Sequence, residues 1–343
     1  MKHLFPYLCG LILLCCACSP TGTEMITSFS KTDILKARIK EVPTPFLLPR
    51  FMGVMGDRLL IYKDKEDTLF QSFALPSCDY LGSAGTRGQG PDDFGLPDTR
   101  SFCMGDSTFA FLEAGSNLFK TVSWQDACLK VTRVESFLSA GISNNGFYPL
   151  ADSIYLLQGN LAGDDEFYLL DKKTNQLTPM GKYPKWIGED TDAYSAPLFF
   201  TYIKTCVVSP DKKRFAAFYG YFKRFRIFDS QVRLLHDVEV NIEPYGTRFR
   251  GPEDVNRQPV YYIGQPQAVG DYIYALCSNA NGSGLQATSR SELHVFDWEG
   301  HPVACYEFDR RISLFAISPK YRLIVALDNR IPDELYLYDL PAL

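Results

Sequence analysis

The chain has 343 residues, 46% hydrophobic and 22% charged, which excludes general disorder and suffices for one large all-β domain or two average ones. Aromatic residues reach 14%, with 20 Tyr and 25 Phe, and lean the composition towards strands. A net charge of −5 lacks the basic surplus of a nucleic-acid binder, and 4 His leave little room for a His-rich metal site.

Residues 1–17 read as a signal peptide: Lys2 supplies a positive start, and the apolar run Leu8–Cys16 is too short to span a bilayer. Ala17-Cys18 resembles a bacterial lipobox, in which the cysteine becomes the first mature residue and carries lipid. Cys15 stands where a leucine is usual, and Cys16 where a small residue is usual. This predicts lipid attachment at Cys18 and an anchored protein of the cell envelope, at the outer membrane. Its face is left open, because no acidic run follows the cysteine. Residues 18–30 read as a lipid-attached flexible tether and 31–343 as the folded part. Beyond Cys18, the cysteines at 78, 103, 128, 206, 277 and 305 are widely spaced without a CxxC pair, and read as buried thiols.

A turn signal then recurs along the chain. It ends at Asp57, Asp106, Asp152, Asp211, Asp271 and Lys320, at intervals of 46 to 60 residues. Gly-Asp and Pro-Asp turn by mechanism: Gly permits positive φ, Pro presets φ, and Asp bonds its own backbone. Each turn has one strand-like run before it and two or three after it, such as Leu59–Tyr62 and Thr68–Leu75. Tyr168–Asp171, Arg226–Asp229 and His294–Asp297 end such runs with nearly the same phrase. Six units of four antiparallel strands predict an all-β, six-bladed β-propeller. The sixth unit lacks its fourth strand, so Asp33–Glu41 is expected to close it from the N-terminus. Five or seven blades are the alternatives, with a degenerate blade in residues 182–202.

Gly82–Pro97 is glycine-rich but is no P-loop, since no Gly-Lys-Ser/Thr and no helix follow. Its bland reading is a tight link between blades one and two. Here a resemblance appears. Gly85-Thr-Arg-Gly-Gln-Gly-Pro-Asp-Asp-Phe94 resembles the G-x-x-G-x-G-P-x-E-F phrase of six-bladed TolB-like propeller lipoproteins of Bacteroidetes, with Asp93 in place of the usual Glu. The resemblance implies the fold and fits a lipid-attached N-terminus, but specifies no activity.

The interblade loops are the candidate binding surface. Asn241–Val260 carries Arg248 and Arg250, and Tyr183–Phe199 carries Trp186 beside Glu189, Asp190 and Asp192. Arg offers paired donors to carboxylates and Trp a flat apolar face. Arg248, Arg250 and Trp186 are therefore the expected ligand contacts, with Arg87 at the edge. Charges pairing with each other at a solvated rim is the competing reading. The acidic trio would suit a hard cation, but lacks a calcium-loop pattern, so no metal and no cofactor are expected. His236, His294 and His301 lie in no nucleophile motif. The balance favours a binding or scaffold module for a glycan, peptide or envelope protein over an enzyme. The alternative is a propeller hydrolase or lyase acting on a carbohydrate or lactone.

Overall fold

The structure is a computed structural model and describes residues 22–125, 128–137, 146–158, 164–186, 198–242, 259–262, 264–281 and 291–343. Three short strands come first: β1 (Glu24–Ile26), β2 (Thr32–Leu35) and β3 (Arg38–Glu41). Blade one follows as β4 (Pro49–Met55), β5 (Arg58–Lys63), β6 (Thr68–Ala74) and β7 (Asp79–Thr86), hydrogen-bonded in that order. In blade two, β8 (Leu96–Pro97) and β9 (Cys103–Met104) share the inner edge of β10 (Thr108–Ala114), with β11 (Leu118–Gln125) and β12 (Cys128–Ser136) outside it. Blade three is β13 (Phe147–Pro149), β14 (Ile154–Gln158), β15 (Asp165–Asp171) and β16 (Gln176–Lys182).

A single helical turn, α1 (Leu198–Thr201), precedes blade four: β17 (Lys204–Val208), β18 (Arg214–Tyr219), β19 (Arg224–Asp229) and β20 (Leu234–Val240). Blade five places β21 (Pro259–Tyr262) and β22 (Gln267–Val269) on β23 (Tyr272–Asn281), followed by β24 (Ser291–Asp297) and β25 (Pro302–Phe308). Blade six is β26 (Leu314–Ser318), β27 (Leu323–Leu327) and β28 (Glu334–Asp339), completed by β3. Among the described residues there are thus six sheets, as the repeat predicts.

The blades pack face to face, and each neighbouring pair shares one apolar core. Phe70 and Leu60 of blade one meet Phe109 and Phe111 of blade two. Around the ring, Leu59 and Ile61 of blade one meet Val325 and Leu335 of blade six. A second strand in this arrangement is buried on both sides. Leu59–Tyr62 and Leu323–Leu327 are therefore unbroken apolar runs without alternation. Each such fully buried side chain contributes about 1.5–3 kcal/mol.

The recurrent turn joins the first and second strands of each blade. Gly56 and Gly270 take φ of +56° and +58° there. Asp211 accepts hydrogen bonds from Ser209 Oγ (2.7 Å) and Lys213 N (3.0 Å). Asp57 accepts from Lys320 Nζ (2.6 Å) and Tyr321 Oη (2.8 Å), tying blade one to blade six.

The N-terminal segment departs from expectation in two ways. Arg38–Glu41 closes blade six as predicted, with Tyr336 opposite Ile39. However, Thr32–Leu35 does not belong to that strand. It adds in parallel to β25 as a fifth strand of blade five. The chain turns the corner at Ala37, whose N–H donates to the Asp309 carboxylate (3.2 Å). Nor is the predicted tether of residues 18–30 free beyond Glu24. β1 pairs in parallel with the outer strand of blade four, and Glu24 Oε1 lies 2.8 Å from His236 Nδ1. The exposed edges of blades four and five supply unpaired backbone groups, and the segment satisfies them. It forms a strap across three consecutive blade edges.

Candidate functional site

The inner strands β4, β9, β13, β17, β22 and β26 surround a channel of about 800 Å3. Its wall is apolar where Phe51, Met52, Phe102 and Met104 line it. The Phe51 and Phe102 rings stack at 4.0 Å. Gly53 lies in the middle of β4, and a β-carbon there would meet Met104 and Phe51 at 2.9 Å. The absent side chain is what admits the methionine to the wall.

Charge in the wall is lopsided. Arg50, Arg100, Lys212 and Lys320 line the channel against Asp106. Arg50 and Arg100 lie where inner strands begin, and Lys212 and Lys320 lie in the turns where inner strands end. At the Arg mouth, Arg100 Nε is 3.5 Å from Asp98 Oδ1, and Arg50 Nε is 3.9 Å from Asp64 Oδ2. Arg87 donates to the same Asp64, at 3.0 Å to its carbonyl oxygen and 3.2 Å to Oδ1. Two guanidinium groups thus share one carboxylate and leave a positive excess beside the channel. Gln265, from blade five, also belongs to the lining, and its Oε1 is buried with no hydrogen-bond donor among the described residues. A ligand that carries an anionic group would complement the Arg excess.

The residues expected from sequence fall in different places. Arg87 stands beside the Arg mouth through Asp64. Arg248 and Arg250, like Glu189, Asp190 and Asp192, lie outside the described residues, and so does Cys18. Trp186 is not brought to Arg87. It sits between blades three and four, edge-on to Tyr219 (4.6 Å) and Phe222 (5.2 Å). The Arg224 guanidinium lies over its ring at 4.9 Å, and its indole N–H donates to Asp237 Oδ2 at 3.3 Å. Arg224 thus covers one face of a ring that is partly exposed.

Next to Trp186, and also joining blades three and four, lies a buried ionic network. Glu166, fully buried, accepts from Tyr219 Oη and from Arg226, each at 2.6 Å, with Lys204 Nζ at 3.3 Å. Lys204 also lies over the rings of Tyr183 (4.9 Å) and Phe167 (5.1 Å). Asp237 is pushed up by burial, against the pull of Arg226 and Arg224. Removing charges from water is costly unless they are paired. Here the pairing joins β15 to β17 and β19 and bolts two blades together.

The glycine-rich phrase also resolves into structure. Phe94 is fully buried against Phe70 and Phe111 (both 5.7 Å). Asp93 accepts from the Thr86 hydroxyl and from Gly90 N (2.9 Å). Asp92 accepts from Lys130 Nζ (2.8 Å) and Val131 N (3.0 Å) of blade two. A β-carbon on Gly88 would strike the Asp93 carboxylate at 2.4 Å. The phrase is a clasp between blades one and two, and Gly82–Thr86, read as loop from sequence, is part of β7.

Sequence reasoning missed Arg50, Arg100 and Gln265. They come from three blades, and no spacing links them. The available signal was their position at or just before the start of an inner strand. His236 pairs with Glu24 and Glu299, and His301 with Asp297. His294 pairs with Tyr262 and Glu292. No serine stands among these partners.

A family model described as TolB-like 6-blade propeller-like matches residues 28–320. Among solved structures, a member of the DUF4221 family from Bacteroides vulgatus is similar with a TM-score of 0.59 and 10% identity, over 90% of this chain and 98% of that one. A protein described as exported, from Bacteroides fragilis, is similar with a TM-score of 0.54 and 11% identity, over 92% of this chain and 98% of that one. No curated protein matches. At these identities the two structures speak to the fold alone.

Proposed function

The chain belongs to the TolB-like six-bladed propeller family, and from that premise we propose that it is an envelope-anchored binding module whose ligand enters the Arg mouth of the central channel. The observation that carries this reading is the pair Arg50 and Arg100 at the entrance of an apolar-walled channel. Their guanidinium groups suit a carboxylate, and Phe51, Met52 and Phe102 suit an apolar body behind it. A carboxylate-bearing glycan or peptide is the ligand class of this geometry. Anchoring through acylated Cys18 rests on the Ala17-Cys18 signal.

The test is a binding screen of the full chain against uronate-containing oligosaccharides and peptides with free C-termini. Arg50→Ala with Arg100→Ala should weaken any hit at least about tenfold, the loss of a charge-assisted contact of roughly 1.5–3 kcal/mol. A hit that is unmoved by this pair, and lost in Arg248→Ala with Arg250→Ala, would transfer the site to the Asn241–Val260 loop. Turnover of a screened polymer would move the protein to the hydrolase or lyase reading.

A further inference from the structure

Blade five brings together three side chains that the channel does not use. Cys277 Sγ, a carboxylate oxygen of Glu292 and a ring nitrogen of His294 all lie within 4.8 Å of one another. The backbone explains the convergence. Cys277 and Glu292 are direct partners in the β23–β24 ladder. His294, two residues further along β24, leaves the sheet on the same face. Asn279, two residues beyond Cys277, takes φ of +45°. The Cys277 thiol donates to Asn279 Oδ1 at 3.4 Å, and Asn279 Nδ2 donates to Glu292 Oε2 at 2.7 Å. Three potential donor atoms, one sulfur, one nitrogen and one oxygen, therefore converge, and the Asn279 amide oxygen borders the sulfur from the exposed side.

A cysteine, a histidine and a carboxylate also make a nucleophilic constellation, but burial argues against it here. Cys277 and His294 are both 0% exposed. Phe29 of the N-terminal strap lies against the imidazole at 4.9 Å. A substrate has no approach to this thiol. A closed metal site has no need of an approach path once formed.

The donor set selects the class of ion. Sulfur with imidazole suits zinc-like transition metals, not calcium or magnesium. A thiolate and a carboxylate balance a divalent charge. The ring is already held from behind: His294 Nδ1 lies 3.0 Å from Tyr262 Oη, and Nε2 lies 3.0 Å from Glu292 Oε2. With an ion on Nε2, the proton resides on Nδ1 and Tyr262 Oη accepts it, which is the outer support that metal-bound histidines carry. Lys223, buried at the tip of the neighbouring blade, is the cation that faces this group. Its charge opposes an ion there.

We propose that Cys277, Glu292 and His294, with Asn279 Oδ1 as fourth donor, form a closed site for a thiophilic divalent transition-metal ion of the zinc type. The site would clip β23 to β24 next to the seam with blade four.

Cobalt(II) added to the full chain is the probe. One equivalent should produce tetrahedral d–d absorption and a thiolate-to-cobalt charge-transfer band, both erased by zinc. Cys277→Ser should abolish the charge-transfer band, and Cys128→Ser, which removes an exposed thiol, should leave it intact. Because Cys277 lies in the core, Glu292→Gln is the second variant. Its metal-free circular dichroism should match the parent, while its cobalt affinity should fall at least about tenfold. The proposal is overturned by absence of the band at millimolar cobalt, by a band that survives Cys277→Ser, or by a folded Glu292→Gln protein of unchanged affinity.

Discussion

Gly56 in the first turn of blade one sits against the carbonyl of Asp106 in the corresponding turn of blade two: a β-carbon on Gly56 would lie 2.6 Å from that oxygen. The same glycine has φ of +56°. The turn that marks the repeat is thus also a contact between neighbouring blades. Gly56→Ala meets both a left-handed backbone and a carbonyl that cannot rotate away. We expect a loss of roughly 1–3 kcal/mol in urea unfolding. Gly270 has the same φ with open space around it. Gly270→Ala should cost visibly less, and equal losses would show that contact plays no part.

Glu166 is the only carboxylate that touches both Arg226 and Lys204 in the described network. Glu166→Ala leaves two buried cations with little compensation. The expected cost is about 3–5 kcal/mol. A thermal melt of this variant unchanged from the parent would mean that water reaches the cluster.

The turn at Asp211 predicts a pH dependence. The Ser209 hydroxyl and the Lys213 amide hold its carboxyl down to about 2, from an ordinary 3.8. A lowered acid contributes stability that is fully present above 3.8 and is lost as pH falls towards 2. Asp211→Ala should therefore melt lower than the parent at pH 5, and the gap should close between pH 4 and 2. A gap independent of pH would assign the effect to backbone propensity alone.

Cys18 is expected to carry acyl chains. Labelling with a palmitate analogue should mark the parent and not Cys18→Ser, which should also leave the membrane fraction. Label retained by the variant would point to Cys16 or to no lipobox at all.

The strap predicts a graded response to truncation. A chain starting at residue 36 loses β1 and β2 and should melt a few degrees lower. One starting at residue 42 also loses β3, exposing β28 and leaving blade six open. It should lose its cooperative transition. Equal melting of the two chains would show that closure by β3 contributes nothing.

Much of this architecture is legible in the sequence for a physical reason. Blades bury their second and third strands on both faces, so Leu59–Tyr62 and Leu323–Leu327 stand out as apolar runs behind Gly-Asp and Pro-Lys turns. The missing sixth-blade strand pointed to the N-terminus. The fifth strands did not show, because β1 and β2 pair at outer edges. Met25 and Ile34 remain 58% and 59% exposed there, and only Ile26 and Leu35 reach the core, too little to show as an alternating strand pattern. At the candidate site, Arg87 was visible in the glycine-rich phrase, but its partner Asp64 and its neighbour Arg50 meet it only on folding. Trp186 was chosen as a ligand platform, and sequence does not reveal that Arg224 lies over its ring with Tyr219 and Phe222 at its edge.

The strap also decides how the ring would hang from a surface. Glu24 is fixed to the outer strand of blade four. Five residues lie between it and Cys18, a reach of at most about 22 Å over six steps of roughly 3.3–3.6 Å. A lipid at Cys18 would therefore moor the disc by its rim, edge-on like a wheel on a short chain. The attachment point lies at the rim, away from both openings of the axle hole. A pull on the chain would peel β1 from blade four first, then β2 from blade five, and reach the closing strand last. The two extra strands would act as sacrificial links that spare the ring.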